Sequence, residues 1–370
     1  MHEVDFSRFG TTWDSENPQG FDGATAFKNM RAEFDEAVAK TPHQVRESFF
    51  VFGGRSVRVR VVGHDLAEHF VRPFSHLQAN GRCAQPPQLT IDLWDDENKR
   101  DRMMAATEND LGWTESTVQS TDDRFVGQRL PHTFSCLDRE ANHIIATIAW
   151  HDRIFIYERA KPLARLLLKW HNDQDVQVIH TGLVASDGKG ILFAGKSGSG
   201  KSTSSLVCIC AGFDYLSEDY VGLECREDGS FVGHSLYSSV FLETNHLARF
   251  TELIPYAIKG RPPHELKSVI VLSQVFPERL KRFVPIRALA LLRVSDIPKP
   301  RFRPASKGEA LLALGPTSLL QIPNRKLGVP GFKKLAQLVE SVPCYWLEVG
   351  EDLRATPHCV RELLAELRPS

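Results

Sequence analysis

The sequence has no Cys-x-x-Cys pair, no internal repeat and no low-complexity tract. It also has no apolar run near the roughly 18 residues that a bilayer span requires, so it is not expected to enter a membrane. Seven cysteines, at 83, 136, 208, 210, 225, 344 and 359, are an odd number without metal-ligand spacing. That argues against a disulfide framework or zinc ribbon and for reduced thiols. Charge of one sign is lacking too: 45 Lys and Arg stand against 46 Asp and Glu, a net of -1. No global field favours nucleic acid or an anionic lipid surface, and no nucleic-acid partner is expected. The opening MHEVDFSRFGTTWD has acids among its first residues and no apolar core, so it is neither a secretory signal nor a transit peptide, and a cytoplasmic protein is expected.

What is present is an ordinary globular composition, 42% hydrophobic and 25% charged over 370 residues, with room for two domains. Residues 1–44 are polar with scattered Gly, Asn and Pro and are expected to be weakly ordered, although Ala24 to Ala39 has helical apolar spacing. Residues 45–172 read as a β-rich α+β domain. In it SFFVF, Gly53-Gly54 and RSVRVRVV make a hairpin, Asp65 to Leu77 a helix, and QLTIDLW, TFSCLD, HIIATIAW and RIFIYER strands. The polar run from Asp95 to Asp123 reads as a long surface loop, and a helix from Ala160 to about His171 closes the domain.

Residues 173–370 read as a mixed α/β domain. VQVIHTGLVA is one strand, S-D-G-K-G a turn, GILFAG a second strand, KSTSSLVCICA a helix ended by Gly212, and FDYLSED a third strand. Further strands VIVLS, ALALLRV and CYWLEV alternate with helices. Ser306 and Glu309 form a capping box, and Thr356 before Pro357 starts the last helix.

Between the second strand and its helix lies Gly195-Lys196-Ser197-Gly198-Ser199-Gly200-Lys201-Ser202-Thr203, the G-x-x-x-x-G-K-[ST] pattern of a phosphate-binding loop in its expected strand-to-helix context. Its glycines let successive backbone N–H groups converge on one anion, to which the helix adds its positive end. Lys201 suits the β and γ phosphates, and the Ser202 hydroxyl suits a bridging Mg2+. Transport ATPases carry similar loops, but the L-S-G-G segment and the downstream Asp-Glu strand that they need are missing. Instead an acidic pair, Glu218-Asp219, ends the next strand. After a right-handed crossover that end lies beside the loop, where a carboxylate can hold Mg2+ or accept a proton from an attacking hydroxyl.

Ile179-His180-Thr181-Gly182, then the loop, then Leu216-Ser217-Glu218-Asp219, then Leu242-Glu243 together resemble the catalytic domain of HPr kinase/phosphorylase. The loop and the GFDYLSED stretch are more similar still to HPr-kinase-like proteins of bacterial peptide-modification clusters. The resemblance covers about residues 172–250, and 264–367 only loosely. It implies a P-loop fold of the HPr-kinase/PEP-carboxykinase kind, ATP and Mg2+ as cofactors, and transfer to a serine of a small protein or peptide. Asp219 would be the general base, with His180 and Lys201 catalytic and Ser202, Glu243 and Glu218 at the metal. A homo-oligomer is compatible with that family. Two departures stand out: the family's Asp-Asp is Glu218-Asp219, and its Pro-Gly-Arg-Asn segment is replaced by RPASKGE at 303–309. Two other readings stay open, a small-molecule or PEP-carboxykinase-like enzyme and a non-catalytic nucleotide switch. Basic residues gather in RLKR (279–282) and KPRFR (299–303), with Arg287 and Arg293 between them. They make either a solvated edge or a substrate contact.

Overall fold

The computed structural model describes residues 21–81, 86–95, 116–120, 123–130, 132–148, 154–261, 266–320 and 328–367. The protein is mixed α/β, with three sheets among the described residues. It divides into two compact units at Trp170 and His171, and the short segment Gly260–Leu266 belongs to the first.

In the first unit, α1 (Gly23–Lys40) starts at Asp22, whose side chain accepts from Thr25 N at 3.0 Å. A stretch expected to be weakly ordered is therefore, in part, an 18-residue helix. Ala26, Met30 and Phe34, at helical spacing, are fully buried with Trp94, Phe134 and Ile145. Met30 and Phe34 each contribute about 1.5–3 kcal/mol of burial, which outweighs the polar residues around them.

β1 (Val45–Phe52) and β2 (Arg55–Val62) form the expected hairpin across Gly53-Gly54. α2 (His64–Val71) runs into a 3-10 turn, Arg72–Leu77, and stacks Phe74 on Phe52 with ring centroids 5.0 Å apart. β3 (Leu89–Asp95) pairs parallel with β2 and with β7 (His143–Ile148), and β4 (Ser116–Gln119), β5 (Phe125–Leu130) and β6 (Thr133–Asp138) complete a seven-stranded sheet. Most of the loop expected from Asp95 to Asp123 lies outside the described residues. RIFIYER differs from its expected strand. Ile156 and Ala160 are buried four residues apart, and Ile156–Ala160 is a short helix, α3, followed by α4 (Ala164–Asp173).

One buried charge organises this sheet. Asp92 on β3 has no solvent exposure and accepts a bidentate pair from Arg60 at 2.7 and 2.6 Å and a bond from His143 Nε2 at 2.8 Å. Arg60 lies over the Phe34 ring of α1, 4.9 Å from its centroid. Burial pushes the Asp92 carboxyl up, but the His143 and Arg60 hydrogen bonds win and hold it below the ordinary aspartate range.

The second unit holds the loop. β8 (Gln177–His180) and β9 (Gly182–Ser186) replace the single strand expected over VQVIHTGLVA. The chain turns at buried Thr181, so that β8 pairs with β12 while β9 pairs with β10. β10 (Lys189–Ala194) leads into the loop and α5 (Lys201–Cys210), then β11 (Asp214–Ser217), β12 (Tyr220–Cys225) and β13 (Phe231–Ser235). β14 (Ser239–Glu243) continues into the single turn α6 (Thr244–Leu247), and with β15 (Ala257–Lys259) and β16 (Lys267–Val271) it forms a small sheet.

β17 (Phe283–Val294) is the spine. It pairs antiparallel with β13 at its start, and parallel with β10 on one side and β19 (Cys344–Val349) on the other at its end. β18 (Arg301–Pro304) edges β19. Alternation along β17 builds two cores. Ala288, Ala290 and Leu292 face Leu206 and Ile209 of α5, whereas Leu289 and Leu291 join Leu314 of α7 (Lys307–Leu320) and Leu335 and Leu338 of α8 (Gly328–Ser341). The Ser306–Glu309 capping box forms as read, with Ser306 N donating to Glu309 Oε2 at 2.8 Å and Glu309 N to Ser306 Oγ at 3.2 Å. α9 (Thr356–Glu366) ends the described chain.

Asp92→Ala leaves Arg60 and His143 without their buried partner, and is expected to cost about 3–5 kcal/mol in urea unfolding of the full chain at neutral pH. Because folding lowers the carboxyl's pKa, its stabilisation is complete above the ordinary aspartate range. It is lost as pH falls through the lowered value. The gap between wild type and variant should therefore narrow in acid; a gap that is small at neutral pH would show the network to be energetically idle.

Candidate active site

β10 ends at buried Ala194, and the six-residue loop that follows is shaped by three glycines with positive φ: Gly195 (154°), Gly198 (78°) and Gly200 (96°). A Cβ on Gly195 would lie 2.5 Å from Ser199 Oγ and 3.2 Å from Leu292 O, so the loop's start is packed against the end of β17. Around Gly198 a Cβ would meet nothing within 4 Å, and its demand for glycine is conformational, with open space above the loop. Lys201, the first residue of α5, is buried, and its Nζ donates to Gly195 O at 2.6 Å and Lys196 O at 3.2 Å. Burial lowers its pKa, while the charges of Asp219 and Glu218 oppose that shift.

The acidic pair at the end of β11 splits its work. Buried Glu218 accepts from Ser202 Oγ at 2.5 Å through one carboxylate oxygen and from Phe241 N at 3.2 Å through the other. Asp219 Oδ1 lies 2.5 Å from His180 Nε2, and its backbone N–H donates to Ser217 Oγ at 3.1 Å. β8–β12 pairing explains the contact, because it sets His180 opposite Tyr220, the residue after Asp219, with the rings 5.8 Å apart. His180 N donates to Ser318 Oγ of α7, and buried His180 Nδ1 has no partner among the described residues.

These groups share one cleft of about 1280 Å3. His180, Ser197, Gly198, Gly200 to Thr203, Glu218, Asp219 and Glu243 all line it, whereas Gly195, Lys196 and Ser199 build the loop without lining the cleft. Glu243 is exposed at the end of β14, opposite Lys267 in register. Lys267 was not singled out in the sequence; it also lines the cleft, and its charge depresses the pKa of Lys201 further. Its only sequence signal was its place at the head of VIVLS, whose pairing with the Glu243 strand is a tertiary fact. The loops after β17 and β19, with Asp296 and Asp352, form the far wall, where the carboxyl ends of parallel strands open onto a ligand.

Among the described residues no three His, Cys, Asp or Glu side chains form a metal site by themselves. The Ser202 hydroxyl beside the Glu218 carboxylate is instead a partial set of hard oxygen donors, of the kind that Mg2+ completes with phosphate and water. No helix among the described residues is long and apolar enough to cross a membrane.

No protein-family model and no curated protein matches the chain. Among solved structures, it is similar to the HPr(Ser) kinase/phosphatase from Coxiella burnetii, with a TM-score of 0.31 and 14% identity over 51% of this chain and 97% of that one. A similarity of that size does not bear on the reading below, which rests on the cleft.

Glu218→Gln keeps the size of the side chain and its contact to Phe241 N but removes the charge beside Ser202. It is expected to reduce the gain in ATP affinity that Mg2+ brings by about tenfold or more, with affinity in EDTA unchanged, by titration calorimetry. Equal loss under both conditions would make Glu218 a structural residue only.

Proposed function

We propose that the protein is an ATP-dependent kinase that transfers the γ-phosphate to a serine hydroxyl of a small protein or peptide. The observation that carries this reading is the division of labour in the acidic pair: Glu218 is bonded to the loop's Ser202, while the next carboxylate, Asp219, lines the same cleft on His180. A non-catalytic nucleotide switch needs only the first of these; a base held in the same cleft suits a second substrate with a hydroxyl to deprotonate.

In this mechanism the loop amides of Gly198 to Ser202 and the Lys201 ammonium hold the β and γ phosphates. Lys267, which also lines the cleft, adds positive charge there. Mg2+, held by Ser202 and Glu218 with Glu243 nearby in the cleft, would neutralise charge on the phosphate oxygens. Asp219 accepts the acceptor's proton as its oxygen bonds to the γ phosphorus and the bond to the β–γ bridging oxygen breaks, releasing ADP. His180 orients Asp219 and spreads the charge that develops there. A cleft of about 1280 Å3 exceeds the roughly 300–1000 Å3 typical of single-ligand pockets, which favours two substrates together.

Asp219→Asn preserves the shape of the contact to His180 but removes the base. With γ-labelled ATP, Mg2+ and size-fractionated host lysate, label transfer to a protein or peptide is expected to fall by about 10²–10⁴-fold while ATP affinity stays the same. Undiminished transfer in this variant removes Asp219 from the base role. Label found only on a metabolite supports a small-molecule kinase, and ATP binding without any transfer supports a nucleotide switch.

A further inference from the structure

Outside the cleft, three strands at the edge of the large sheet bring an unusual set of charges into one row. Register places Arg293 of β17 and Arg301 of β18 on either side of Glu348 of β19, and Arg303 opposite Trp346. Glu348 is buried and accepts from all three guanidinium groups, from Arg301 Nε at 2.7 Å, Arg303 Nε at 3.1 Å and Arg293 Nη2. The Arg301 bond, aided by those of Arg293 and Arg303 and against burial, holds its carboxyl at about 2, so it is ionised throughout the working pH range. Three permanent positive charges therefore share Glu348, and with Glu309, which feels the charge of Arg303, the cluster still holds one more cation than carboxylates.

That surplus is not what burial requires. In the first unit, Asp92 is satisfied by one guanidinium and one imidazole, and Asp138 takes a bidentate pair from Arg124 and the backbone N–H groups of Glu140 and Ala141. Around Glu348, three guanidinium groups are crowded together, and their side chains are 43–66% exposed. They are also held still. The Trp346 ring lies under Arg293 and Arg303, 5.5 and 5.4 Å from its centroid, and its indole N–H is tied to Glu309 Oε1 at 3.0 Å. Each guanidinium gives Glu348 one bond, and the fork of an arginine carries further N–H donors that can take a second carboxylate.

The position matters as much as the charge. Val294, the residue after Arg293, lines the nucleotide cleft, and its Cγ2 is 3.8 Å from where a Cβ on Gly200 would be. Arg293, Arg301 and Arg303 do not line that cleft, and the alternation of β17 puts Arg293 on the other side of the strand from Val294. The arginine row thus starts one residue from the cleft along β17 but on the other side of the strand, and it does not belong to the nucleotide site.

We propose that Arg293, Arg301 and Arg303 form a docking site for an acidic peptide segment of the phosphate acceptor, gripping carboxylates that lie a few residues from the hydroxyl to be phosphorylated. This rests on the kinase reading for the word acceptor, but the binding surface does not. The row is compact and built around a central carboxylate, which fits one or two acidic side chains better than the extended phosphate track of a nucleic acid.

The test uses the full chain and two degenerate fluorescent peptide pools around a central serine, one with Asp and Glu in its flanks and one with Asn and Gln in their place, with single-stranded RNA as a third probe. In anisotropy without nucleotide, the acidic pool is expected to bind at least about tenfold tighter than the neutral one. R301Q/R303Q, which leaves Arg293 on Glu348, should abolish that preference with ATP affinity unchanged, and R301K/R303K should restore part of it. No preference in the wild type, or a preference retained in R301Q/R303Q, overturns the proposal, as does RNA binding lost in R301Q/R303Q without any acidic-peptide preference. An arginine-dependent preference with no transfer of label from ATP sinks the kinase reading alone. Transfer that is indifferent to the acidic flank sinks the docking site alone.

Discussion

The second unit depends on a carboxylate with two jobs. Through one oxygen Glu218 takes the Ser202 hydroxyl at the first turn of α5, and through the other it takes the backbone N–H of Phe241 in the small sheet. It joins the helix that follows the phosphate loop, the end of β11 and the strand that ends in Glu243. Because Glu218 is buried, neither bond competes with bulk water, and each constrains the loop's geometry as well as its charge. A single methylene decides the reach, since an aspartate at this position would be one carbon shorter.

Buried carboxylates recur as the organising device, with different partners in each case. Asp92 is closed off completely and serves the packing of α1 against its sheet. Glu348 sits under an exposed layer of arginines, which places fixed charge on the surface. Glu218 lies between these extremes, buried itself yet lining an open cleft. The cost of removing a carboxylate from water is offset in each by directed hydrogen bonds, and the number of partners left over separates an internal brace from a surface with binding potential.

Much of the local structure was legible because it is written in short-range chemistry. The glycines of the loop, the hairpin at Gly53-Gly54, the Ser306–Glu309 box and the Thr356-Pro357 helix start each need only a few neighbouring residues. The site's geometry was less so. Glu218 and Asp219 follow β11, which ends at Ser217, so strand alternation does not govern where the two carboxylates point. His180 meets Asp219 only because the chain breaks at Thr181 and β8 pairs with β12, a register that no local signal fixes. Lys267 and the row Arg293–Glu348–Arg301 were hidden for the same reason, since residues far apart in sequence become lateral neighbours only once strand order is set. The misread RIFIYER run shows the converse: a short apolar stretch fits either period, and burial at Ile156 and Ala160 decides for the helix.

The posture of Lys201 has a consequence for what the loop can retain. Its ammonium already has two carbonyl acceptors in Gly195 and Lys196, so an arriving anion competes with the protein's own backbone instead of filling a vacancy. A lone phosphate would bring the ammonium a charged acceptor, but part of that gain would be offset by the two carbonyl bonds given up. A chain of phosphates can engage the loop amides and the ammonium at once, and the excess bonds tip the balance. If the loop binds nucleotide as proposed, the lysine's own carbonyl bonds reduce the gain from any single phosphate and so would favour ligands that carry several oxyanions in series.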